Sequence, residues 1–205
     1  VRQTVFVAKK MGESVGRSKI LQRPLSKQFE ESEWVKNPKS LAKSEKMVAK
    51  NILHFMKFRK ATKQDIPFIV QMLADDELGK LRENYQSPLP DLYYEAFTNI
   101  ENDVNQELIV IENDANEIIG TLQLSFIQYL TYQGGIRAQI EAVRIRSDQR
   151  GQGIGETVFM WAIQRAKERG AHVLQLTTDK QRPDAIRFYE KLGFKASHEG
   201  MKMHL

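Results

Sequence analysis

The chain contains no cysteine, which excludes disulfide staples, thiolate metal sites and any route through a cysteine acyl-enzyme. Histidine is scarce as well. His54, His172, His198 and His204 show no ligand spacing, so packing or surface roles are expected and no metal. No run of uncharged apolar residues approaches the roughly 20 that a membrane helix needs, and the first residues lack the compact apolar stretch and small-residue cleavage pattern of a secretory signal. The expectation is a cytoplasmic protein with no membrane partner.

What is present suits one globular domain with a tail: 205 residues, 41% hydrophobic and 28% charged. The net charge of +5 is unevenly spread. Residues 1–55 carry 12 Lys and Arg against 5 Asp and Glu, a balance of +7, which leaves 19 against 21, or −2, for residues 56–205. The basic character thus belongs to the tail, no recognition motif accompanies it, and a nucleic-acid partner is not expected. Residues 1–55 show no sustained period beyond a short helical pattern near 44–55 and read as a poorly ordered extension. The regular pattern starts at Met56, so residues 56–205 are taken as the domain.

Within the domain the periods alternate. A short strand from Met56 precedes a helical stretch over 64–77, where Ile66, Ile69, Val70 and Leu73 fall on one face, and a second helix follows Pro90 with Leu92, Tyr93, Ala96, Phe97 and Ile100. Two β-rich runs, 107–111 and 118–130, flank the turn chemistry of 112–116 and read as a hairpin. A third strand over 136–145 follows Gly134 and Gly135. Beyond it a long helix carries Ile154, Val158, Trp161 and Ala162 on one face, a buried strand covers 173–176, and a last helix over 184–192 starts beside Pro183 and stops at Gly193. The order strand, helix, strand from 136 to 176 predicts a parallel crossover.

Two local features carry chemistry. The first is Arg150-Gly151-Gln152-Gly153-Ile154-Gly155-Glu156, where the extended run ends and the long helix begins. Three alternate glycines leave no Cβ to block an anion, so backbone N–H groups and the helix N-terminus converge on it, and Arg150 adds positive charge. A dinucleotide fingerprint needs Gly-x-Gly-x-x-Gly and a Walker loop needs Gly-Lys-Ser/Thr, whereas this loop reads Gly155-Glu156-Thr157. The second is a slip of phase in the third strand. Its apolar residues occupy even positions through Ala142 and odd positions at Val143 and Ile145, the mark of a β-bulge that frees backbone groups.

The spacing of Arg150, Gly153 and Gly155 resembles the acetyl-CoA pyrophosphate loop of the GNAT N-acetyltransferase superfamily. A second segment, Ala185-Ile186-Arg187-Phe188-Tyr189-Glu190-Lys191-Leu192-Gly193-Phe194, resembles the Ala-x-x-Phe/Leu-Tyr-x-x-x-Gly-Phe stretch of the same enzymes. The resemblance implies an α/β GNAT fold, a mixed twisted sheet flanked by helices, that transfers an acetyl group from acetyl-CoA to an amine within a ternary complex. It further implies that Val143 and Ile145 pair with the pantetheine arm, that Arg150, Gly151, Gln152, Gly153, Ile154, Gly155 and Glu156 hold the coenzyme, and that Tyr189 protonates the leaving thiolate. Such a reaction needs a base. Glu141, set among Ile140, Ala142 and Val143, is the candidate, against the alternative of a solvent-facing or ion-paired strand glutamate. One departure stands out: Arg182 occupies the position where the family often has Asn against the pantetheine. The acceptor, a small-molecule or peptide amine, is not legible, and a homodimer is left open. A non-catalytic acyl-CoA-binding regulator and a transferase of a longer acyl chain are the alternatives.

Overall fold

The computed structural model describes residues 56–75 and 79–203. The basic extension and the helical pattern near 44–55 lie outside the described residues.

Five strands form one sheet in the order β1-β2-β3-β4-β5. They are β1 Lys57–Lys60, β2 Gln106–Glu112, β3 Ile118–Gln128, β4 Ile136–Ile145 and β5 Ala171–Leu176. The first four pair antiparallel and β4 pairs parallel with β5, which makes the sheet mixed as expected. Helices α1 Ile66–Ala74 and α2 Asp91–Asn102 connect β1 to β2, α3 Ile154–Glu168 connects β4 to β5, and α4 Pro183–Lys191 follows β5. The helix expected over 64–77 is a 3₁₀ turn at Lys63–Asp65 running into α1, which stops at Ala74.

Alternation divides the side chains between the two faces of the sheet. One face sends Ile109, Ile111, Leu122, Leu124, Phe126, Ala138 and Ile140 against Val158, Phe159, Trp161, Ala162 and Ala166 of α3. Each fully buried aliphatic chain there contributes about 1.5–3 kcal/mol. Phe58 of β1 stacks on Trp161 with ring centroids 4.9 Å apart, which ties the first strand to α3. The other face is covered over β2 and β3 by α1 and α2, through Ile66, Ile69, Val70 and Phe97 packed on Val110. Glu107, 2% exposed, is the charged residue inside the first layer. Arg165 meets it with two hydrogen bonds, at 2.8 and 2.7 Å, and Arg169 adds one at 2.6 Å while lying over the Phe126 ring.

The strand expected to be buried at 173–176 is the sheet edge instead. His172 and Val173 of β5 are exposed, because no further strand pairs with β5 among the described residues.

Candidate functional site

The site forms where β4 bulges against β3 and loses its pairing with β5. On the β3 side, Gly120 faces Ile145 and Thr121 faces Arg144, but the next pair in register is Gln123 with Glu141. Leu122 therefore opposes two residues, Ala142 and Val143, which is the bulge expected from the phase slip. Ala142 takes a φ of 53°, a left-handed backbone that an L-residue with a Cβ enters at a cost of about 1 kcal/mol or more. On the β5 side the parallel ladder ends at Ile140 and Leu176, although β4 continues to Ile145. From Glu141 to Ile145 no described strand pairs with that edge of β4. This edge without a strand partner is the wedge, and the Val143 and Ile145 side chains beside it pack against the α3 core.

The glycine loop closes the same end of β4. Gly151 and Gly153 take φ of 78° and 79°, and Gly153 is the N-cap of α3. Left-handed glycines beside a helix start turn successive N–H groups toward one point and form an anion nest. Arg150 stands beside the nest but is already engaged. Its Nε donates to the Ile145 carbonyl at 2.9 Å, and its Nη2 reaches Asp75 Oδ2 at 3.3 Å. It thus ties the end of β4 and the end of α1 to the loop. Gln152 donates to the Asp148 carbonyl at 3.4 Å, and Glu156 pairs with Lys191 of α4 at 3.7 Å. Ile154 is buried beneath the loop in the α3 core.

Helix α4 brings Tyr189 to this end. Its phenol ring packs with Phe159 of α3 at 5.3 Å, and Phe188 and Phe194 complete the aromatic group. Burial raises the Tyr189 phenol above its ordinary value, against an opposing pull from the Arg182 and Arg144 charges. A phenol held neutral in the field of two cations is suited to give up a proton when an anion forms next to it. Arg182 occupies the N-cap position of α4 and is exposed.

Glu141 departs from its expected setting. It is solvent-exposed, not sunk among apolar neighbours, because the apolar residues Ile140 and Ala138 point to the α3 side of the sheet while Glu141 points away. Its Oε1 accepts a hydrogen bond from Gln139 Nε2 at 2.9 Å. Gln139 was not singled out in the sequence. The signal was its place two residues before Glu141 on the same strand face. Asp75, the partner of Arg150, gave no signal, since only the packing of α1 brings it across.

Residues 71–194, more than half of the chain, match the acetyltransferase (GNAT) family. The chain belongs to the GNAT family. The bulged strand, the glycine loop and the Ala185 to Phe194 segment of the GNAT pattern all lie within the matched range. A solved structure from Bacillus halodurans C-125, described as a transcriptional regulator, is 61% identical, covers 73% of this chain and 99% of its own, and superimposes with a TM-score of 0.70. An aminoalkylphosphonate N-acetyltransferase of Salmonella typhimurium is 34% identical over 82 residues, 40% of this chain and 53% of its own length. An L-methionine sulfoximine/L-methionine sulfone acetyltransferase of Pseudomonas paraeruginosa is 30% identical over 91 residues, 44% of this chain and 51% of its own length. The chain spans about half the length of these curated relatives. No helix among the described residues is long and apolar enough to cross a membrane.

Proposed function

We propose that this GNAT chain is an N-acetyltransferase that moves an acetyl group from acetyl-CoA to a primary amine by direct attack in a ternary complex. The observation that carries the reading is the coincidence, at one end of β4, of the bulge, the wedge beyond Ile140 and the left-handed glycines of the loop. The N–H groups of residues 151–155 hold the diphosphate of the coenzyme, with Gln152 and Glu156 on the rim and Ile154 as the buried anchor. Val143 and Ile145 offer backbone groups to the pantetheine arm. The Val143 N–H meets the thioester oxygen as negative charge develops on it.

Glu141 accepts the proton of the attacking amine, directly or through water, as the new N–C bond forms. Tyr189 returns a proton to the sulfur as the C–S bond breaks, and the field of Arg144 and Arg182 eases the charge on that sulfur. The charge of −2 over residues 56–205 suits a cationic acceptor in the encounter step. Aminoalkylphosphonates and methionine sulfone are the first acceptors to test, since relatives are described by them.

Thiol release from acetyl-CoA, screened over those two amines, a polyamine and a lysine peptide, tests the reading. Release that requires both acceptor and enzyme, and that collapses in Glu141→Gln while coenzyme A binding persists, is the expected result. A second reading comes from the description of the 61% identical structure as a transcriptional regulator. In that case the wedge senses acyl-CoA without turnover. Tight binding of acetyl-CoA, with no thiol release from acetyl-CoA or longer acyl-CoA thioesters, would select it.

A further inference from the structure

The face of the sheet that Glu141 shares carries a row of side-chain amides. Gln175 of β5 stands in register with Gln139 of β4, and Glu141 stands in register with Gln123 of β3. Alternation puts these side chains on the face opposite α3. Gln175 Nε2 donates to Gln139 Oε1 at 2.5 Å, and Gln139 Nε2 donates to Glu141 Oε1 at 2.9 Å. Gln139 is 8% exposed, whereas Glu141 is exposed. A buried amide is therefore spent on two partners, one on each side.

The chemistry of the three groups fixes the direction of this chain. An ionised carboxylate can only accept, so Gln139 must offer its NH₂ to Glu141. Its carbonyl oxygen is then left facing β5, and Gln175 must donate to it. Both links are satisfied only when the carboxylate occupies the end of the row. Gln139 takes one oxygen of Glu141 and leaves Oε2 for an incoming amine or water. The pair Gln139 and Gln175 is also placed just before Ile140 and Leu176, where the ladder ends, so the next-to-last paired rung of the parallel strands steers the first residue of the wedge.

We infer that Gln139 is a positioning residue for Glu141, locked in its working orientation by Gln175, so that β5 takes part in catalysis from outside the wedge. The inference rests on the reading of Glu141 as the base. It adds an orientation requirement that a mobile exposed carboxylate would lack, and it explains a buried glutamine on the face opposite α3.

The test is thiol release with the fastest amine of the panel, in Gln139→Met, Gln175→Met and the double variant, each with native Glu141 and in the Glu141→Gln background. Gln139→Met is expected to lower kcat about tenfold or more while KM for acetyl-CoA stays within about twofold. Gln175→Met should give a smaller loss, and the double variant should be no worse than Gln139→Met, since both act through one hydrogen bond. In the Glu141→Gln background neither change should cost anything further. Equal losses in the two backgrounds would mean a merely structural role and would overturn the proposal. Full turnover in Glu141→Gln alone would instead reject Glu141 as base, a separate failure.

A measurement without acceptor decides the contact itself. The side-chain amide resonances of Gln139, assigned by their loss in Gln139→Met, should move in both Glu141→Ala and Gln175→Met on a folded background of amide peaks. If they stay in place the relay does not exist.

Discussion

Ile140 and Leu176 are the last pair that the two parallel strands make. Past them β4 turns through the bulge at Ala142 and runs to Ile145 with no strand partner on that side among the described residues, and the loop of left-handed glycines begins a few residues later. A strand that keeps one neighbour and loses the other offers main-chain groups to a third party without unfolding. That relationship has consequences which separate variants can test.

Ala142 holds a positive φ in the middle of a strand. Ala142→Gly should relieve the strain and leave stability unchanged or raise it by up to about 1 kcal/mol, and Ala142→Val should lower it by more than that. Urea unfolding checks the sign. If Ala142→Val proves as stable as the parent, the bulge does not hold this residue left-handed.

Gly155 lies in the first turn of α3 with ordinary helical backbone, and an added Cβ would meet only Phe188 Cζ at 3.8 Å. Gly155→Ala should therefore fold, with a helix gain of up to about 1 kcal/mol. Calorimetry with coenzyme A should nonetheless show weaker binding if, as proposed, this loop holds the diphosphate, because the methyl group adds bulk to it. Stability and affinity are expected to move in opposite directions.

Tyr189→Phe keeps the ring packed with Phe159 and removes only the hydroxyl. Turnover should fall about a hundredfold, with KM for acetyl-CoA little changed. The phenol is raised above 10.0, chiefly by burial, so its contribution to stability is complete below that pH and is lost as pH climbs through the folded value. Chemical denaturation in alkaline buffers should show this loss in the parent and not in the Phe variant.

Glu107 is held below its ordinary value of 4.5, since the hydrogen bonds and charges of Arg165 and Arg169 outweigh the burial that pushes it up. A depressed carboxyl contributes stability above its unfolded value and loses it as pH falls through the folded one. Stability should decline on acidification below 4.5, and Glu107→Gln should flatten that decline. The same substitution should cost about 3 kcal/mol or more at neutral pH, because it leaves two partly buried guanidinium groups without their carboxylate.

Much of the fold could be read along the chain because its signals are local. The helix faces of α1, α2 and α3 repeat at 3.6, the turn after β2 carries Asn and Asp, and Pro183 and Gly193 bracket α4. The bulge was legible for the same reason, since a slip of one residue moves every later side chain to the other face. β5 was misread as buried because a short apolar run looks the same at the centre of a sheet and at its edge; only the pairing distinguishes them.

The sequence by itself determined the glycine loop, the Tyr189 segment and the place of the kink, because backbone freedom, helix stops and strand phase are properties of neighbours in the chain. The tertiary structure alone decided which way Glu141 points, that Gln175 and Gln139 stand behind it, and that Asp75 meets Arg150. Those contacts join residues distant in the chain, and their distances follow from strand register and helix packing, which no local pattern encodes.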